Sequence, residues 1–122
     1  MLRYNCWMSI NMHEITRARA SITETAQQML AGDLSYIEGS RTILAVLPEA
    51  RIGNMDEFMA FAGINSETDK FPFGDVRKRW QPEALTRMQP ELDRAEQWAK
   101  AFGEPACRAV IERFRNEPFG EL

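Results

Sequence analysis

Histidine occurs once in this chain, at His13, and cysteine twice, at Cys6 and Cys107. Histidine is the side chain most used to move protons near neutral pH, so a Ser-His-Asp or Cys-His mechanism would have to be built on His13 alone. An exposed histidine at the beginning of a helix is the simpler reading. The cysteines stand at opposite ends and form no CxxC pair, which points away from a disulfide framework and from a zinc site. Cys107 reads as a small buried apolar residue. Long apolar runs are missing too: the longest, Ile43 to Leu47, is ended by Pro48, far short of the roughly 18–20 residues of a membrane span. No GxGxxG string is present, and no P-loop string, to cradle phosphate. A basic excess is also lacking. The net charge of −3 argues against a nucleic-acid surface and leaves proteins, a second copy of the chain or small molecules as the expected partners, with no cofactor indicated.

What is present is an ordinary globular composition, 44% hydrophobic and 27% charged over 122 residues. A chain of this length forms one domain, 1–122, and buries roughly two thirds of its unfolded surface. Met1 to Met12 carries Asn5, Ser9 and Asn11 among its apolar residues, unlike the continuous apolar stretch of a signal peptide. A cytoplasmic protein is expected, with 1–12 a weakly ordered leader, Met8 and Met12 alternative starts, and 116–122 a frayed tail.

From Glu14 to Ala31 the apolar positions Ile15, Ala18, Ile22, Ala26, Met29 and Leu30 recur at steps of three and four, which predicts a helix. Gly32 closes it, and Asp33 is expected to cap a second helix marked by Leu34, Ile37, Leu44 and Leu47 and ended by Pro48. Gly39 weakens the middle of that helix by about 1 kcal/mol against alanine, so either a neighbour packs closely there or the helix starts later. Met55, Phe58, Met59, Phe61 and Ala62 follow Asn54 and predict a third helix ended by Gly63; a buried strand through Phe58 to Ile64 is the competing reading. Asp75 can cap a short helical turn through Trp80. Pro82 then opens a helix containing Leu85, Met88, Leu92, Ala95, Trp98, Ala99 and Phe102, kinked or restarted at Pro90 and ended by Gly103. Pro105 opens a last helix with Ala106, Val110, Ile111 and Phe114 on one side. The expected fold is all-α: a compact single-domain bundle of five or six short-to-medium helices with one ordered loop at about 63–75.

The densest polar cluster is Asn65, Ser66, Glu67, Thr68 and Asp69. Asn65, Glu67 and Asp69 alternate as the first ligands of a calcium loop do, but Lys70 stands where the turn glycine belongs and Val76 where the bidentate glutamate belongs. No metal is expected there. Ser66 and Asp69 can simply shape a turn through local hydrogen bonds. Against that stands a functional reading in which Phe71, Phe73 and Trp80 supply aromatic contact area while Glu67, Asp69, Arg77 and Arg79 supply directional charge, the mixture found at interface anchors. The run Arg77, Lys78, Arg79 reads as a solvated face in an acidic protein, and the Trp98–Phe102 pair as core.

The string G-I-N-S-E-T-D-K-F-P-F-G-D-V-R-K-R-W, from Gly63 to Trp80, followed by P-E-A-L and later by A-C-R-x-x-I-E-R-F, resembles a family of small bacterial proteins of unknown function. The resemblance covers the chain from about Met12 to Phe114. It implies a bacterial cytosolic origin and carries no activity or site residues. The function expected from the residues is a protein-binding module, of the immunity or regulatory type, that uses the 65–80 segment. A small enzyme or ligand-binding protein with Glu67 and Asp69 as acid/base or metal groups is the alternative.

Overall fold

The computed structural model describes the backbone of residues 2–116 and the side chains of residues 12–116. The expected frayed tail falls almost wholly beyond them, and so does the side chain of Cys6. Four α-helices make up the fold: α1 (Leu2–Ala31), α2 (Tyr36–Ala50), α3 (Met59–Glu67) and α4 (Pro82–Asn116), with 3₁₀ turns at Asp56–Phe58 and Arg77–Arg79. The all-α expectation holds, and among the described residues there is no strand. The count of five or six helices does not hold.

The count falls because the helices expected from Pro82 and from Pro105 are one, α4, and the 75–80 element is a 3₁₀ turn; three prolines lie inside helices, Pro48 in α2 and Pro90 and Pro105 in α4. Proline in a helix interior costs about 3 kcal/mol when its ring meets the i−4 carbonyl and that carbonyl loses its donor. Here all three rings are exposed, and the carbonyls released by Pro90 and Pro105 belong to Thr86 and Ala101, which are exposed as well. On the solvent side of a helix a carbonyl without its donor is open to water, which lowers the cost of a proline, and α4 passes through both positions. At the other end of the chain, α1 starts at Leu2 rather than near Glu14; no glycine or proline precedes Met12 to stop it.

Gly32, at φ +85°, reverses the chain between α1 and α2. Its N–H donates to the Met29 carbonyl and that of Asp33 to the Gln28 carbonyl, a pairing that closes the end of α1. Asp33 is thereby used to end α1, and the cap of α2 is Ser35. The Ser35 hydroxyl accepts from the N–H groups of Ile37 and Glu38 at 3.1 and 3.2 Å. Around this hairpin the core gathers Ile22, Ala26 and Met29 of α1, Ile37, Ile43 and Leu47 of α2, Phe58, Phe61 and Ile64 about α3, and Ala99, Cys107, Val110 and Phe114 of α4. Phe58 is central, with ring centroids 6.2 Å from Phe61 and 6.1 Å from Phe114.

Two glycines read as helix ends lie inside helices, and one of them, Gly103, is a packing position. Helix α3 continues through Gly63 to Glu67, so the connecting segment begins at Thr68 and not at 63. At Gly103 a Cβ would lie 3.0 Å from Ile64 and 3.1 Å from Tyr36, and the absent side chain lets α3 and α2 press on α4. Gly39 serves the same end: a Cβ there would sit 2.3 Å from the Met29 sulfur, so the close neighbour foreseen at this position is the α1 side chain.

Charged side chains from one helix finish the ends of another. Arg19 of α1, buried at 7% exposure, donates from Nε to the Ala50 carbonyl at 3.0 Å and from Nη2 to the Arg51 carbonyl at 3.1 Å, closing the C-terminal end of α2. Glu96 of α4 accepts from the Ser35 hydroxyl at 2.7 Å and from the Tyr36 N–H at 2.6 Å, at the opposite end of the same helix. A cation at the carbonyl end and an anion at the amide end both complement the helix dipole.

Candidate functional site

The 65–80 segment is held down as a strap. Thr68, almost fully buried, donates its hydroxyl to the Ile64 carbonyl at 2.6 Å, while its N–H reaches the Ile64 and Asn65 carbonyls and ends α3. Arg41 of α2 donates to the Thr68 carbonyl and, at 3.1 Å, to the Phe71 carbonyl. Its guanidinium lies 5.0 Å from the centroid of the Phe73 ring. Phe71 is 2% exposed, with the Lys70 ammonium over its face and Lys70 paired to Glu91 of α4 on the surface. Beyond Gly74, at φ +63°, the chain makes the 3₁₀ turn Arg77–Arg79. Asp75 does not cap that turn; its carboxylate forms an exposed pair with Lys78.

The candidate residues therefore do not converge. Phe71 points into the interior, Phe73 lies half-buried under Arg41, Arg77 and Trp80 are half-buried, and Glu67 and Asp69 are exposed. Of them, Phe73 alone lines the main cleft of about 480 Å³, which lies between the α1–α2 turn and α4. Neither carboxylate lines this cleft or the two smaller grooves of about 420 and 250 Å³.

The main cleft has a polar rim of Asp33, Asp93, Glu96 and Lys100 over a floor of Met29, Leu34 and Leu92. Its polar groups are largely engaged in structure: Glu96 holds the start of α2, and Asp93 accepts from the Gln89 amide at 2.8 Å. Tyr36 also lines it, with a buried hydroxyl that has no hydrogen-bond partner among the described residues. Burial pushes the phenol up, and the nearby Cys107, Glu104 and Glu96 push it the same way while Arg108 opposes them. Among the described residues no three His, Cys, Asp or Glu side chains are grouped to hold a metal ion.

The feature with contact chemistry lies elsewhere. Trp98 and Phe102 of α4, expected in the core, are 42% and 48% exposed and stacked on one another, with centroids 5.5 Å apart and planes 10° from parallel. Phe102 rests against Gly63 of α3, and Met59, one turn before Gly63, is 64% exposed. The core stripe of α4 is Ala99, Gly103, Cys107, Val110 and Phe114, which turns Trp98 and Phe102 outward. The neighbours of the pair at helical spacing are Glu91, Arg94 and Pro105, all exposed. That charged and proline-bearing flank is the signal in the sequence from which the exposure could have been read.

No family model, no curated protein and no solved structure matches the chain. Among the described residues no helix is long and apolar enough to cross a membrane.

Proposed function

We propose that this chain is a protein-binding module whose contact surface is the outer face of α4 around Trp98 and Phe102, in place of the 65–80 strap. The observation that carries the reading is the stacked, half-exposed aromatic pair on a rigid helix. Exposed apolar groups scattered singly are normal in a folded protein, whereas large aromatic rings grouped on one face are the usual anchors of interfaces. Preorganisation strengthens the case, because two rings already stacked lose little side-chain freedom on binding. The enzyme alternative has less support, since Glu67 and Asp69 are exposed and far from convergent. We place the module in the bacterial cytoplasm, from the resemblance of Gly63–Trp80 and the free buried thiol of Cys107; a regulatory or immunity partner is the type of protein that suits it.

The test is a photo-crosslinking amino acid placed at Phe102 and, as a control, at exposed Thr42 of α2, in cells that naturally make the chain. A protein adduct of one discrete mass from position 102, absent from position 42, is expected. No adduct, or equal adducts from both positions, overturns the reading.

A further inference from the structure

We infer that the partner of the α4 face is a second copy of this chain, docked antiparallel about a two-fold axis midway between Trp98 and Phe102; this rests on the protein-binding reading above. Glu91, Arg94, Trp98, Phe102, Pro105 and Ala109 recur at steps of three and four and are all exposed, so they form one face of α4. A two-fold interface must be self-complementary, each patch meeting itself in reverse. This face is. With the axis placed between the two rings, Trp98 of one copy meets Phe102 of the second, and the two stacked pairs form a cluster of four rings. Glu91 then faces Ala109 beside Arg108, and Arg94 faces Pro105, so a small or flat residue stands opposite each long one. Arg87, one turn before Glu91, meets Glu112 of the second copy on the same side of the interface.

The charges fit this register. Arg87 has no intrachain ion-pair partner among the described residues, and Glu112 is paired only with Arg115, where both side chains are more than half exposed and readily shared. The helix face from Arg87 to Glu112 is about 40 Å long and about 10 Å wide. That is about half of the ~800 Å² that each partner contributes to a standard interface, with Met59 of α3 at its edge. An interface below the standard size suits a weak, concentration-dependent dimer, with a Kd on the order of 10–100 µM taken as the range to test.

Sedimentation velocity on the full chain from about 5 to 500 µM covers this range. The wild type should pass from monomer to dimer, and Trp98→Ala should remain monomeric with an unchanged circular dichroism spectrum. Arg87→Glu places like charges opposite one another at two symmetric points and should raise Kd about tenfold. Adding Glu112→Arg to Arg87→Glu should restore Kd to within about twofold of wild type, an outcome that a merely sticky aromatic face would not produce. A wild type that stays monomeric throughout overturns the second copy as partner; if position 102 still crosslinks to a protein of another mass, the protein-binding reading survives it. A dimer indifferent to Trp98→Ala, or a double variant that fails to recover, overturns the proposed register and face.

Discussion

Replacing Gly39 by alanine sets two effects of opposite sign against each other. In an exposed helix interior the change stabilises by about 1 kcal/mol, because glycine loses more backbone freedom on folding. At position 39 the new Cβ would lie 2.3 Å from the sulfur of Met29, 2.6 Å from its Cγ and 3.0 Å from its Cε. Ordinary carbon contacts are about 3.5–4.0 Å, so most of the Met29 side chain has to move. Met29 is fully buried and its sulfur is already 3.8 Å from that of Cys107, so its way out is toward the cleft whose floor it forms, at the cost of its packing against the core. Overpacking of this kind costs about 1–3 kcal/mol and more when the clash is severe. Methionine is adaptable, which limits the penalty, and a net destabilisation of about 1–2 kcal/mol is expected. Urea unfolding followed by circular dichroism measures it. Met29→Ala alone should cost about 2–5 kcal/mol, and in the double variant the methyl group introduced at position 39 enters the space vacated by Met29. The two changes should then be sub-additive by about 1–2 kcal/mol. If Gly39→Ala stabilises the protein by the full propensity gain, or the two changes simply add, the close approach of α1 to α2 is not what position 39 is for.

Two further predictions concern the strap and the buried thiol. Arg41→Ala removes donors to two carbonyls and the cation above Phe73; it should cost about 1–2 kcal/mol and speed hydrogen exchange over residues 68–73, with Arg41→Lys recovering only part of the loss because it lacks the fork. Unchanged exchange in that segment would count against the strap. Burial, helped by the charge of Glu104, pushes the Cys107 thiol up from 9.0 to about 12, so iodoacetamide at pH 8 should leave Cys107 unmodified in the folded protein and label it in urea, as read by peptide mass. Because the folded value lies above the unfolded one, this thiol's contribution is fully present below pH 9 and is lost as pH rises from 9 toward 12. Urea midpoints that are flat across that window would contradict the burial.

The apolar spacing of α1, α2 and α4 was legible because Ile22, Ala26 and Met29, or Val110 and Phe114, repeat at the helix period whatever surrounds them. Prolines were not legible as interior residues. Whether Pro90 or Pro105 breaks a helix depends on whether the carbonyls of Thr86 and Ala101 face water, and only the assembled bundle decides that. Gly103 was illegible in the same way, since a glycine ending a helix and a glycine admitting a neighbour look alike in one dimension, and Gly63 simply continues α3. The candidate site suffered from a related ambiguity: Phe71 and Phe73 supply aromatic surface in a polar stretch, but Arg41, thirty residues earlier in the chain, turns them into ballast for the fold. Trp98 and Phe102 lie on the same three-four ladder as Ala99, and a shift of one residue on a helix moves a side chain by about 100°, enough to carry it from interior to surface.

The capping of α2 by Glu96 and Arg19 has a consequence for how the molecule comes apart. Neither end of that helix is completed by its own sequence neighbourhood alone: its amide end leans on α4 and its carbonyl end on α1. A helix of fifteen residues is marginal in isolation, and here each of its termini is a joint shared with a different helix. Loosening either α1 or α4 removes a cap from α2, so opening of either outer helix should lower the stability of α2 with it.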